Sequence, residues 1–439
     1  MLIKKTMRRS LVRMSYIALL FVFLIPGTSA QSVSKPESVG MSSERLRRLD
    51  HLIETYVNEK ELAGAVTLVA KDGRIVNLHA SGFQDLESKT PMRTDSLFRM
   101  YSMTKPITSV AFLMLYEQGY FQLDDPLELY IPAFKDVKVF ERLDDDGNMV
   151  LVKPERKITI RDVFTHTGGI SYGNDNHPVD KAYRAAGIAY FTENLKDMVG
   201  KIATMPLRFQ PGTRWHYSYS LDVIAYLVEH FSGMPFDQYL QKNIFKPLGM
   251  KDTSFGVSAA KLDRLTSMYS PPGYKGVPPF ATQMTVGLER LESAADSGYL
   301  KAGAYPAGGS GLISTAEDYF RFAQMLVNGG EYNGVRLLSP KTVSLMASAH
   351  VPMGFPGIPD LLLKGSGYGL GVSVMVDTTA QGNLGSNGQF GWSGAASTHV
   401  IMDPKEHMVS ILLAQYRPAL LPLQKRFQTL VYQALTGPP

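Results

Sequence analysis

The stretch from Arg99 to Gly119, RMYSMTKPITSVAFLMLYEQG, constrains the fold more than any other part of the chain. Its centre, Val110-Ala111-Phe112-Leu113-Met114-Leu115, is apolar on every side of a helix, and a helix without a polar face has to lie inside the molecule. Gly119 then supplies a stop. At the start stand Ser102 and Lys105. One turn takes about 3.6 residues, so the two share a face and the amine can reach the hydroxyl. A serine hydroxyl is a poor nucleophile unless a base lies in hydrogen-bond range. Lysine is that base only if burial and neighbouring cations bring its pKa down from about 10.4.

The spacing alone is not distinctive, since Ser-x-x-Lys also occurs at Ser32 to Lys35 and at Ser258 to Lys261. The first copy lies in a Pro-containing tail and the second in a polar, Ala-rich stretch, and neither leads into an apolar run. Both are expected on the solvated surface. Only the Ser102 copy opens a buried helix.

Residues 1–30 read as a secretory signal: Lys4, Lys5, Arg8, Arg9 and Arg13, an apolar run from Tyr16 to Ile25, and the small residues Thr28-Ser29-Ala30. That run falls short of the roughly 20 residues that span a bilayer, so an uncleaved anchor is the weaker alternative. Export to the periplasm or medium is the expectation, with no stable membrane span once the signal is removed. The signal carries five of the 45 Lys and Arg and none of the Asp and Glu, so the remainder is balanced against 40 acidic residues. The overall +5 is therefore no argument for nucleic acid or an anionic membrane as partner. With no cysteine there is no disulfide, no thiol nucleophile and no lipid-bearing cysteine, and the fold has to stand on its core.

Ser42 and Ser43 can cap a helix whose apolar residues, Leu46, Leu49, Leu52, Ile53 and Tyr56, fall on one face. Ala65 to Ala70 and Arg74 to Ala80 are β-rich runs joined at Asp72-Gly73, a hairpin signal. The far end mirrors this, with strands expected at Gly369 to Val376, Ser397 to Met402 and Met408 to Ala414, then a helix over about Leu420 to Leu435. The pattern predicts an α+β fold: an antiparallel sheet built from both chain ends, flanked by helices, with an inserted helix-rich lobe. We place the sheet lobe at 31–98 and 301–439 and the inserted lobe at 99–300, together forming one catalytic domain with a cleft between the lobes. Gly382 to Gly391 reads as a turn before a strand.

Six blocks in order, FRMYSMTKPITS, LDDPLELYIPAF, VFTHTGGISYG, PGTRWHYSYSLDVIAYLVE, GGSGLISTAEDYFRFAQMLVNGG and GWSGAASTHVIMDP, give the chain its resemblance to a known family. It resembles the serine β-lactamases of class C, with the related penicillin-binding proteins and family VIII carboxylesterases. The resemblance covers nearly all of the chain after the signal and implies a β-lactamase/transpeptidase-like fold. It implies Ser102 as nucleophile and Tyr217 as the tyrosine that moves protons between Ser102, Lys105 and the leaving group, with Tyr172 a second candidate for that role. Where the lactamases carry asparagine two residues after the tyrosine, this chain has Tyr219, which is closer to the esterases. Trp392-Ser393-Gly394 stands where the lactamases have Lys-Thr-Gly. The glycine would let substrate approach the backbone, and the amides of Ser102 and Ala395 would form an oxyanion hole, each donor worth about 3 kcal/mol. Trp392 offers no cation to a substrate carboxylate, and its ring can pack on an acyl or alcohol chain. Arg214 or Lys364 are the candidates for a replacement cation.

The expectation is an exported serine hydrolase acting on a small-molecule carboxylic ester, without cofactor or metal. Tyr172, Tyr219, Trp392, Ser393 and Gly394 would line the substrate site. The alternatives are a β-lactamase or D-amino-acid peptidase, an acyltransferase, and a non-catalytic penicillin-recognising binding protein. His166, His216 and His399 are read as packing residues, and the nine histidines show no zinc-site spacing. Ser314 is read as the cap of the helix after Gly308-Gly309-Ser310-Gly311.

Overall fold

A computed structural model describes residues 32–189, 194–276, 280–300, 305–359 and 364–437. The expected signal, residues 1–30, lies outside them. Eight strands form one antiparallel sheet: β1 (Gly64–Lys71), β2 (Arg74–Asp85), β3 (Thr90–Pro91), β4 (Ser366–Tyr368), β5 (Ser373–Met375), β6 (Phe390–Gly394), β7 (Thr398–Asp403) and β8 (Met408–Ala414). Their order is β4-β5-β6-β7-β8-β1-β2-β3. The two chain ends meet where β8 pairs β1, Ala414 opposite Ala65 and Met408 opposite Lys71. The expected hairpin joins β1 to β2 through Asp72 at φ 51° and Gly73 at φ 73°, the pair of positive φ angles that matches the twist of two strands.

Both faces of the sheet's centre are covered, and the two central strands, β1 and β8, are apolar at most positions for that reason. Ala65, Val69, Leu412 and Ala414 pack on one side against α1 (Ser43–Asn58) and the C-terminal helix, through Leu49, Ile53, Leu423 and Phe427. Val66, Leu68, Ile411 and Leu413 pack on the other side with α2 (Thr104–Glu117), which is buried from Thr104 to Leu113. The main core continues through α3 (Leu195–Thr204), α4 (Ser220–Ser232) and α5 (Ala316–Val327), and the C-terminal helix is α6 (Leu421–Tyr432). Cutting Ile107 or Leu412 back to alanine would cost about 2–5 kcal/mol. Among the described residues no helix is long and apolar enough to cross a membrane.

Two expectations change. Of the strand expected over Gly369 to Val376 only β5, Ser373–Met375, forms; β4 ends at Tyr368 before it, and at Gly371, φ 79°, the connection between the two lies against α2. A Cβ there would come within 2.0 Å of Ser109 Oγ. The cap of α5 is Thr315, whose hydroxyl accepts from the Asp318 amide, while Ser314 pairs across to Phe98.

Candidate active site

Ser102 sits in a single 3-10 turn, Tyr101–Met103, just ahead of α2. Tyr101 has φ 46°, a left-handed conformation that a bulky residue holds only when its surroundings impose it. Those surroundings come from three sides. The short strand Phe98–Arg99 pairs with Ile313–Ser314, and Met100 N donates to Leu312 O at 2.8 Å. Tyr319, on α5, donates to Met103 O at 2.8 Å. Arg99 is fully buried and donates to Thr266 O at 2.6 Å and Glu292 at 3.0 Å.

Lys105 Nζ lies 3.2 Å from Ser102 Oγ and donates to Gly309 O at 2.6 Å. The side chain is wholly buried, and burial brings its pKa down to about 7. No neighbouring cation is the cause, contrary to the sequence expectation: the charge acting on it is Asp222, which pulls the other way. The amine also lies 4.5 Å from the centre of the Tyr217 ring and 5.9 Å from that of Tyr172.

The Tyr217 hydroxyl faces Ser102, and burial raises its pKa, so it stands as a neutral phenol. The Trp392 Nε1–H donates to the same hydroxyl oxygen at 3.0 Å. Sequence reasoning assigned Trp392 to substrate and did not foresee this bond. Trp392 belongs to a buried cluster with Trp215, Val351 and Tyr368, and Tyr217 packs against it.

Gly394 ends β6 with Met100 against it: a Cβ would come within 2.4 Å of Met100 O and 2.1 Å of Thr398 Oγ1. The glycine thus makes room for the chain's own segment before Ser102, while Gly394 also lines the cavity. It brings Ala395 to the same cavity as Ser102. Ser393, on the opposite face of β6, bonds His399 Nδ1 at 2.7 Å and Gln424 at 3.3 Å.

A cavity of about 640 Å³ opens over Ser102, lined by Tyr172, Tyr217, Trp392, Ser393, Gly394 and Ala395 among others. Tyr219 is not among its lining residues. It is buried, its ring lies 4.6 Å from Tyr172, and its hydroxyl donates to Ile188 O at 3.5 Å. Arg214 and Lys364 are exposed and do not line the cavity either, whereas Arg417 and Lys425 do.

His166 is buried beside Tyr217 with Nδ1 at 3.2 Å from Ser218 Oγ, and burial holds its pKa well below the usual value. His216 belongs to a cluster with Asp175 and Asp180 whose ligand atoms lie within 4.8 Å of one another. Arg208 Nη1 already reaches all three, at 2.8, 2.6 and 3.1 Å, so a guanidinium occupies the place a metal would need. Ser258 and Lys261 are on the surface, where Lys261 bonds Lys251 O at 2.8 Å.

The model of the family described as Beta-lactamase matches residues 49–433. Esterase EstB of Burkholderia gladioli is 31% identical over 361 residues, covering 79% of this chain and 84% of that protein. Protein Rv1367c of Mycobacterium tuberculosis is 33% identical over 369 residues, 82% of this chain and 87% of its own length. Among solved structures, EstCE1, a hydrolase with promiscuous acyltransferase activity, superposes with a TM-score of 0.73 at 25% identity, covering 90% of this chain and 99% of that one. An antiparallel sheet flanked by helices, a match across most of its length and esterase relatives make this chain a member of the β-lactamase family, an enzyme of the serine hydrolase type related to the family VIII carboxylesterases.

Proposed function

We propose that the protein is an exported esterase that cleaves neutral carboxylic esters through an acyl-enzyme on Ser102. The observation that carries this reading is the 3.2 Å contact between Ser102 Oγ and a wholly buried Lys105 whose pKa lies at about 7. Such an amine is substantially uncharged at neutral pH and can accept the hydroxyl proton as Oγ bonds the ester carbonyl carbon. The carbonyl electrons move onto oxygen, where the amides of Ser102 and Ala395 hold the charge. Collapse breaks the bond to the alcohol oxygen, which takes a proton from the Tyr217 phenol, and Lys105 returns one to Tyr217. Water then attacks the acyl carbon with the same groups acting in reverse, releasing the acid. Export rests on the charged and apolar leader, and periplasmic recovery of a chain beginning at or near Gln31 is its test.

The neutral-ester preference rests on Trp392, whose N–H is turned to Tyr217 and whose ring carries no cation. The second reading, hydrolysis of a β-lactam or a D-amino-acid peptide, draws on Arg417 and Lys425, which line the cavity and could meet a carboxylate. Acyl transfer to an alcohol would use the same acyl-enzyme, and EstCE1 is described with that activity. Purified protein assayed on p-nitrophenyl butyrate and nitrocefin, with Ser102→Ala beside the wild type, tests the reading. Ester turnover and fluorophosphonate labelling are expected in the wild type and absent in the variant. Labelling that persists without Ser102 removes the nucleophile assignment, and a wild type that never labels returns the molecule to the binding-protein class.

A further inference from the structure

Asp222 has no part in the chemistry described so far, yet its carboxylate is fully buried in the first turn of α4, five residues after Tyr217. Its Oδ1 accepts from Gly309 N at 3.3 Å and from the Tyr305 hydroxyl at 3.1 Å. The carbonyl of that same Gly309 takes the 2.6 Å bond from Lys105 Nζ. One residue thus joins the amine to the acid: the Lys105 ammonium donates to Gly309 O, and Gly309 N–H donates to Asp222. The loop that carries it is wedged between two helices, because Thr108 of α2 donates to Gly308 O at 2.6 Å and a Cβ on Gly308 would come within 2.3 Å of Leu221 O.

We propose that Asp222 is a positioning residue which, through Gly309, holds the Lys105 amine against Ser102 and supplies the negative charge that faces it. This rests on the reading of Lys105 as the base for Ser102. The titratable groups around the pair are His166, Tyr172, Tyr217, Tyr219 and Tyr305. Burial keeps His166 uncharged and raises Tyr217, Tyr219 and Tyr305, so these four carry no charge near neutral pH. Without Asp222 the amine would give up its proton still more readily, since the carboxylate favours the charged form against burial.

Asp222→Asn keeps the shape and an acceptor for Gly309 N–H but removes the charge. The acid limb of kcat/KM for p-nitrophenyl butyrate should then move to lower pH by about half a unit or more. Tyr305→Phe, which removes a bond to the carboxylate but leaves its charge, should leave that limb in place. A folded Asp222→Asn enzyme whose acid limb coincides with the wild type overturns the proposal. A second readout needs no turnover: melting temperatures of wild type, Lys105→Met, Asp222→Asn and the double variant, at pH 6 and pH 9. The double variant should lose less than the sum of the single losses at pH 6, where Lys105 is charged, and the difference should shrink at pH 9. Additive losses at both pH values overturn the proposal even if Ser102 proves to be the nucleophile. Should no ester be cleaved, the proposed function fails while the melting cycle still reports on the pair.

Discussion

The indole N–H of Trp392 changes what Tyr217 can do. By donating to the phenol oxygen at 3.0 Å it leaves the phenol's own proton free to point at Ser102, the direction in which a leaving alkoxide would need it. Trp392→Phe deletes the donor and trims the indole to a single ring that can still pack in the cluster. A neutral hydrogen bond is worth about 1 kcal/mol net, so kcat on p-nitrophenyl butyrate should fall about 5- to 10-fold with KM little changed. Steady-state kinetics at saturating ester check this. Lys105 makes a second prediction at this scale. The base has to be uncharged, so below its pKa of about 7 kcat/KM should fall roughly tenfold per pH unit. Its stability consequence has a definite sign. Between about pH 7 and the ordinary 10.5 the unfolded chain holds a proton that the folded Lys105 has lost, so this group makes stability rise with pH across that window and contributes no slope below it. In Lys105→Met that part of the slope should vanish from melting curves taken over pH 7–10. The serine and lysine were legible because they stand three residues apart where a buried helix begins. Asp222 and Gly309 were not, since they reach the amine from segments 117 and 204 residues away in the chain, and no local period records such a meeting.

Whole elements were easier to read where one period ran without interruption. The helix from Ser43 and the hairpin at Asp72-Gly73 follow from apolar spacing and one turn dipeptide, and both stand as expected. The strand expected across Gly369 to Val376 begins only at Ser373, because Gly371 looks like any glycine in a β-rich run and only the body of α2 against it holds the chain out of the ladder. Gly394 poses the same problem in the site. It lines the cavity as expected of a substrate-facing glycine, but the local pattern does not show that atoms of Met100 and Thr398 lie within reach of a Cβ there. Here the element makes a test of its own. In Gly394→Ala the new methyl meets a backbone carbonyl that cannot step aside, so the end of β6 has to move away from the Ser102 turn and take the Ala395 amide with it. Losing one oxyanion donor costs roughly 100- to 1,000-fold in kcat. The variant should therefore keep the sheet, seen as an unchanged far-ultraviolet spectrum, and lose about that much turnover on p-nitrophenyl butyrate. Near-normal kcat would place the oxyanion elsewhere.

At the scale of the molecule the question is which substrates the cleft admits, and charge decides it. Beyond residue 30 the chain carries as many acidic as basic residues, so no long-range field draws an anion inward, and selectivity has to arise inside the cavity. On the Trp392 wall a carboxylate would lose its water without gaining an ionic partner, a cost of several kcal/mol. Arg417 and Lys425 also line the cavity, but Arg417 already lies 5.5 Å from the centre of the Tyr101 ring. Glu292, bonded to Arg99 at 3.0 Å, lines the same space with the opposite sign. A neutral ester meets none of these costs and can lay its chain on the aromatic wall. The expected outcome is a kcat/KM for p-nitrophenyl butyrate at least about 100-fold above that for nitrocefin or benzylpenicillin, a gap of roughly 2.7 kcal/mol. Because the discrimination is local, that ratio should hold as ionic strength rises from about 0.02 to 0.5 M, a range over which the Debye length falls several-fold. Trp392→Lys should narrow the ratio from both sides, offering a cation to the lactam carboxylate and withdrawing the donor from Tyr217 that ester cleavage uses. A wild type that hydrolyses benzylpenicillin as fast as the butyrate ester, with a preference that collapses in Arg417→Gln or Lys425→Gln, would give the anion subsite to those residues and put the lactamase reading first.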